Sequence, residues 1–235
     1  MLLRLIEEDI SLDEVVFYDT GMEFQAVYNV RDMILPLLKE KGIRYVELKP
    51  ETPFLYDMLE RPVQSKEKGC HLGYGWCGGV CRWGTANKLK ALDKYQKRHN
   101  AIMYVGLAAD EPERVRRLPK NKISPLAEWE MTEKECLTYC RRHGIHWTEG
   151  GVDLYDILDR VSCWCCSNKN KKELFNIWKY LPDYWEKLKE LQSRLQRPMK
   201  KYNSRKYGEY GNLFVMEKAF EEESRYEQLS LSEFM

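Results

Sequence analysis

Two pairs of closely spaced cysteines carry the clearest chemical signal in this chain, Cys77-x3-Cys81 and Cys163-x2-Cys166. Each pair sits in turn-forming sequence, and two thiolate pairs from distant segments are the usual frame for tetrahedral zinc or an iron–sulfur cluster. The alternative is four free thiols in a reducing compartment, where disulfides are rare. Cys165 is either a spare thiol or a replacement ligand. Cys136 and Cys140 lie four apart in a helical stretch, the spacing of one apolar face, and read as core. His71, His99, His143 and His146 show no metal-ligand spacing.

Three further groups could bind an anion or a nucleotide. Asp19-Thr20-Gly21 follows the apolar run Val15-Val16-Phe17-Tyr18, at the carboxyl end of an expected strand, where open α/β sheets bind ligands. Asp19 either takes part in such a site or caps the next helix. Gly21, lacking a side chain, allows close approach. Arg82, Lys88 and Lys90 follow Cys81 at the start of a basic helix and would suit a phosphate or sulfate, or form an ordinary solvated face. Asp110-Glu111-Pro112-Glu113-Arg114 follows a third strand. Acids there can meet ribose hydroxyls or a metal, or simply open a helix with Pro112 in its first turn.

The elements needed to position these groups alternate. Residues 1–9 read as a helix fragment. A strand at about 14–18, apolar on both faces, suits a covered parallel sheet. A helix from about 22 to 41 closes at Gly42, with Val27, Val30, Met33, Ile34, Leu37 and Leu38 at helical spacing. A second strand at 43–48 alternates, as near an edge. A glycine-rich loop covers about 62–81, a basic helix about 85–98, and an apolar strand 101–107, with a short fourth strand at 123–126. Thr132-Glu133-Lys134-Glu135 opens a capping-box helix that runs to Gly144. Beyond about 153 the pattern is helical and rich in Trp and Lys, ending in acidic sequence. Strand, helix, strand, helix, strand is the doubly wound order of an α/β fold.

Composition narrows the classes. The 235 residues suffice for one α/β domain with a helical appendage, and 38 basic against 37 acidic residues argue against a general nucleic-acid surface. No apolar run approaches membrane-spanning length, and Glu7 and Glu8 interrupt any signal-peptide pattern. A soluble cytoplasmic protein without membrane partners is expected.

In combination these segments resemble the phosphoadenosine phosphosulfate (PAPS) reductase family, within the adenine nucleotide α-hydrolase-like or PP-loop proteins. The resemblance rests on the strand ending in Asp19-Thr20-Gly21, on Gly106-Leu107-Ala108-Ala109-Asp110-Glu111-x-x-Arg114, and on Ser124-Pro125-Leu126-x-x-Trp129. A later match joins Leu154-Tyr155-Asp156 to Arg160-Val161-Ser162-Cys163-x-x-Cys166. It spans nearly the whole chain, with four motifs in order. It implies a doubly wound parallel sheet with an adenine nucleotide (ATP, PAPS or APS) across the strands' carboxyl ends. Asp19, Thr20, Gly21, Asp110, Glu111 and Arg114 would be nucleotide-binding, and Arg82 and Lys88 would face the phosphate or sulfate as catalytic cations. Cys77, Cys81, Cys163 and Cys166 would bind zinc or an iron–sulfur cluster. The expected division is a nucleotide-binding domain at 1–150 and a helical, metal-bearing part at 151–235.

Three departures matter. The family's Ser-Gly-Gly-Lys-Asp-Ser phosphate loop is absent, and Met1-Leu2-Leu3-Arg4-Leu5 resembles the helix that follows it. The lost strand would be central, between 14–18 and 101–107, so the expectation is a fragment, a misassigned start, or a chain completed by a partner supplying strand and loop. The C-terminal Glu-Cys-Gly-Leu-His segment with the nucleophilic cysteine is absent too. Ala108 stands where the family often has arginine. The expected function is therefore sulfonucleotide reduction or nucleotide-activated sulfur or group transfer, with a redox or sulfur-carrier protein as partner. The alternative is a non-catalytic nucleic-acid-binding or assembly module, drawn from Lys200-Lys201-Tyr202-Asn203-Ser204-Arg205-Lys206-Tyr207 with Lys169, Lys171 and Lys172.

Overall fold

The computed structural model describes residues 1–66, 69–77, 79–200 and 211–232, with side chains described as far as residue 225. In chain order the elements are α1 (Leu2–Glu7), β1 (Glu14–Tyr18), α2 (Gln25–Glu40), β2 (Arg44–Leu48), α3 (Phe54–Leu59), β3 (Pro62–Ser65) and β4 (Gly69–Leu72). A π-helical segment, Arg82–Asn87, runs into α4 (Lys88–His99). Then follow β5 (Met103–Tyr104), α5 (Pro112–Val115), β6 (Lys122–Ile123), α6 (Pro125–Glu128), α7 (Glu133–Arg142), β7 (Thr148–Glu149), β8 (Val152–Asp153) and α8 (Leu154–Ile157). The chain closes with α9 (Lys171–Tyr180), α10 (Pro182–Ser193) and α11 (Leu213–Ser232). The fold is mixed α/β, and among the described residues no helix is long and apolar enough to cross a membrane.

The chain forms two compact units, each assembled from separate stretches of sequence. The first comprises residues 1–19, 26–49 and 87–147. In it β1 pairs in parallel with β2, Val16 opposite Val46, and β5 pairs in parallel with β6. Each pair is a sheet of its own among the described residues. The apolar run of β1 is consequently half-buried, with only Tyr18 fully covered. The strand expected over 101–107 shortens to Met103–Tyr104, and Ile102 is exposed. Its ladder ends where its partner ends, because Pro125 has no N–H to offer and starts α6. Gln96, buried on α4, donates through Nε2 to the carbonyls of Ala101 (3.0 Å) and Asn121 (2.7 Å), tying the helix to the entry of both short strands. Thr132 and Glu135 form the expected capping box of α7.

The second unit comprises residues 20–25, 50–86 and 148–235. Its core lies among α9, α10 and α11, where Leu174, Ile177, Leu188, Leu213 and Phe220 are wholly buried. Trp185 packs against Phe220, and its indole N–H donates to Glu217 Oε1 at 2.9 Å. The stretch read as a glycine-rich loop contains the antiparallel hairpin β3–β4. Gly73 follows that hairpin with φ +66, and a Cβ there would meet Met58 O at 2.2 Å, so only glycine fits without moving α3. The hairpin β7–β8 turns on Gly150 and Gly151, both at positive φ, as a two-residue primed turn requires.

Candidate functional site

The cysteine pairs belong to the second unit, and its fold brings them together. Gly84, in the π-helical segment, separates two of the sulfurs: a Cβ there would lie 3.7 Å from Cys163 Sγ and 3.8 Å from Cys81 Sγ. A Cβ would make only ordinary van der Waals contact with both, so the two sulfurs lie close to this backbone without requiring glycine. The Gly84 N–H points to Cys81 Sγ at 3.3 Å, and the N–H of Arg82 points to Cys77 Sγ at 3.1 Å. Backbone N–H groups directed at sulfur stabilise a thiolate over a thiol. The opposite strand of the site is pinned as well. Ser167 donates to the carbonyl of Cys77, and Asn168 Nδ2 to that of Gly79 at 2.9 Å. Burial raises the Cys81 thiol, and the charges of Cys77 and Cys166 add to it.

Cys163 sits beside Thr20 and Glu23. Its Sγ is 3.6 Å from Thr20 Oγ1 and 3.8 Å from Glu23 Oε1, and Thr20 Oγ1 itself donates to Glu23 at 2.8 Å. Burial, reinforced by the Glu23 carboxylate, pushes the Cys163 thiol up to about 12. Burial raises Cys81 and the fully enclosed Cys165 too. Beneath them Lys169 is 2 % exposed, its ammonium 3.2 Å from Ser162 Oγ and over the Phe24 ring. Its burial favours the neutral amine, while Glu173 and the nearby sulfurs favour the cation. Among the described residues no three His, Cys, Asp or Glu side chains form a closed group that could hold a metal ion. The donor chemistry nevertheless fits a thiophilic metal: four sulfurs from two segments, two of them met by backbone N–H groups.

The residues expected at a nucleotide divide between the units. Asp19 is buried at the end of β1 in the first unit, where Tyr28 Oη donates to its Oδ1 at 2.7 Å and Lys49 Nζ lies 3.9 Å from Oδ2. Lys49 follows the carboxyl end of β2, a place that strand position alone could have flagged. Tyr28 sits in a helix with no signal to mark it. Thr20 belongs to the second unit, where its hydroxyl accepts from Met22 N at 3.2 Å and neighbours Cys163. Gly21 has φ +75 and open space around it.

Asp110, Glu111 and Arg114 are engaged locally. Asp110 accepts the N–H of Glu133 at 3.1 Å, Glu111 accepts that of Ala108 at 3.3 Å, and Arg114 pairs with Glu111. Pro112 opens α5 as expected. The Arg82 guanidinium stacks over Tyr74 at 3.8 Å, while Lys88 is the exposed first residue of α4. Cys136 and Cys140 are half-buried on α7 with thiols raised by burial. Lys169 and Lys200 are buried, and Lys171 pairs with Glu223, so these three present no free cationic surface. The remainder of the basic tyrosine-rich stretch, 201–207, lies outside the described residues. Sequence reasoning missed Glu23 and assigned Lys169 to a basic surface, whereas it is buried; the contacts of both are ones that no spacing announces.

No protein-family model matches the chain, and no solved structure matches it. An uncharacterized protein of Methanocaldococcus jannaschii is 25% identical over 198 residues, 79% of this chain. The chain spans 36% of the length of that curated relative.

Proposed function

We propose that the chain is a PAPS reductase-like protein that acts on an adenine nucleotide or sulfonucleotide and carries a metal or iron–sulfur centre on Cys77, Cys81, Cys163 and Cys166. The reaction is sulfonucleotide reduction or nucleotide-activated sulfur or group transfer. The observation that carries this reading is the meeting of two cysteine pairs around Gly84, with backbone N–H groups directed at Cys77 and Cys81. A thiolate-bound zinc or cluster supplies Lewis acidity or an electron, and the pairs would hold it.

The chain's own residues take the remaining roles. Thr20 and Glu23 orient the Cys163 thiol. Gly21, where a Cβ would point into open space, lets a ligand approach the backbone. Asp19, anchored by Tyr28, and Asp110, Glu111 and Arg114 offer polar groups to a nucleotide. Arg82, held flat on Tyr74, and Lys88 offset charge on a phosphate or sulfate. The proposed architecture is a doubly wound PP-loop sheet, with a strand and phosphate loop from polypeptide outside residues 1–235 seated between β1 and β5. The two-stranded parallel pairs of the first unit support it, since parallel strands ordinarily belong to larger covered sheets. A redox or sulfur-carrier protein is the proposed partner.

The test is metal and sulfide analysis of the protein purified without oxygen, beside C77S and C163S, followed by calorimetric titration with ATP and APS. A tightly held metal in the parent, lost in both variants, together with nucleotide binding weakened by D19N, is expected. A chain that takes up neither zinc nor iron and binds neither nucleotide overturns the proposal.

A further inference from the structure

The first unit holds a cleft of about 610 Å3 formed by α1, the turn from Trp129 to Thr132, and α7. That volume is in the range of small-ligand sites. On one wall the Arg4 guanidinium lies over the Trp129 ring, 4.3 Å from its centroid. The guanidinium is anchored by Glu8 at 2.6 Å and by Met131 Sδ at 3.2 Å. Lys134 and Arg142 also line the cleft, both exposed, and neither makes a side-chain ion pair among the described residues. The polar groups around them are engaged elsewhere. Tyr139 Oη donates to Glu7, and Glu135 accepts from Thr132 N at 2.9 Å and Thr132 Oγ1 at 2.7 Å. The N–H groups of Glu133 and Glu135 are taken by Asp110 and Thr132. Recognition would therefore come from side chains rather than from the helix start. Glu130 is the one lining carboxylate outside these bonds among the described residues, and it leaves the cleft with an excess of cations.

We propose that this cleft binds a small aromatic anion of nucleoside-monophosphate size, its ring against the Arg4–Trp129 stack and its acidic group between Lys134 and Arg142. A planar ring extends a guanidinium–indole stack, and two uncommitted cations match a phosphate or carboxylate. The cleft shares no residue with the groups proposed above for the nucleotide and the metal, and its occupation does not depend on them.

The probe is AMP, titrated calorimetrically into the full chain, with adenosine and inorganic phosphate as its separated halves. Saturable AMP binding, stronger than that of either half, is expected. It should weaken at least about tenfold in K134E/R142E, as the loss of one charge-assisted hydrogen bond implies, and weaken in W129L. Lys134 and Arg142 are exposed, so circular dichroism should show both variants folded. No saturable AMP binding, or binding that K134E/R142E leaves intact, overturns the proposal. Phosphate binding as tightly as AMP overturns the role of the ring.

Discussion

Glu7 and His143 form a local pair whose two partners shift in opposite directions. Glu7 is held below its ordinary 4.5, first by the hydrogen bond from Tyr139 and then by His143. His143 is raised above 6.5, first because its Nδ1 bonds the Tyr139 carbonyl at 2.7 Å and then by Glu7, 2.7 Å from Nε2. A lowered carboxylate stabilises above its unfolded value and loses that contribution as pH falls through the folded one. A raised imidazole stabilises below its unfolded value and loses it as pH climbs through the folded one. Both contributions are thus present between about 4.5 and 6.5. An NMR titration should find His143 above 6.5, and E7Q should bring it part of the way down while the bond to Tyr139 remains. A His143 value unmoved by E7Q would remove the ion pair from this account. At the same scale, Cys77, Cys81, Cys163 and Cys166 were readable from spacing because short-spaced thiols are uncommon without a use. Glu23 was not, because it acquires meaning only from Cys163, 140 residues away in sequence; Lys169 reads as part of a basic surface, and only its burial shows otherwise.

At the scale of elements, caps and packing dominate. In α7 the Thr132 hydroxyl accepts from Glu135 N while Glu135 reaches back to Thr132 N. Thr132→Ala should cost about 1 kcal/mol, measured by urea denaturation, and T132S should recover most of it. Within α9–α11 Leu188, three residues after Trp185 on α10, is wholly buried. Leu188→Ala should cost about 2–5 kcal/mol, since a cavity forms beside a rigid indole. A loss under 1 kcal/mol there would mean the bundle collapses onto the gap. The boundaries of α2 and α7 were readable in the sequence, since glycine at 42 and 144 takes the positive φ that ends each helix. The hairpin β3–β4 was not, because its glycines read as loop; the strand pairing came from ladder bonds that composition does not encode.

For the whole molecule, the unresolved relation is between β1–β2 and β5–β6, two parallel pairs in one compact unit. If an added strand seats between them as proposed, hydrogen exchange should distinguish two lengths of polypeptide. In residues 1–235 alone, β1 and β5 should exchange independently, since each ladder opens on its own. In a longer polypeptide carrying a strand and phosphate loop ahead of residue 1, their protection should rise together. Equal and independent exchange in both would sink the shared sheet.

What the sequence determined alone is local: the cysteine pairs, the helix caps and the apolar runs of an α/β chain, all written in spacings of a few residues. Tertiary structure decided which distant segments share a unit. Residues 20–25 and 50–86 fold with 148–235, which sets Thr20 beside Cys163 and Gly84 between Cys81 and Cys163. The physical reason is that side-chain burial and hydrogen bonding act through space, whereas periodicity and capping act along the chain.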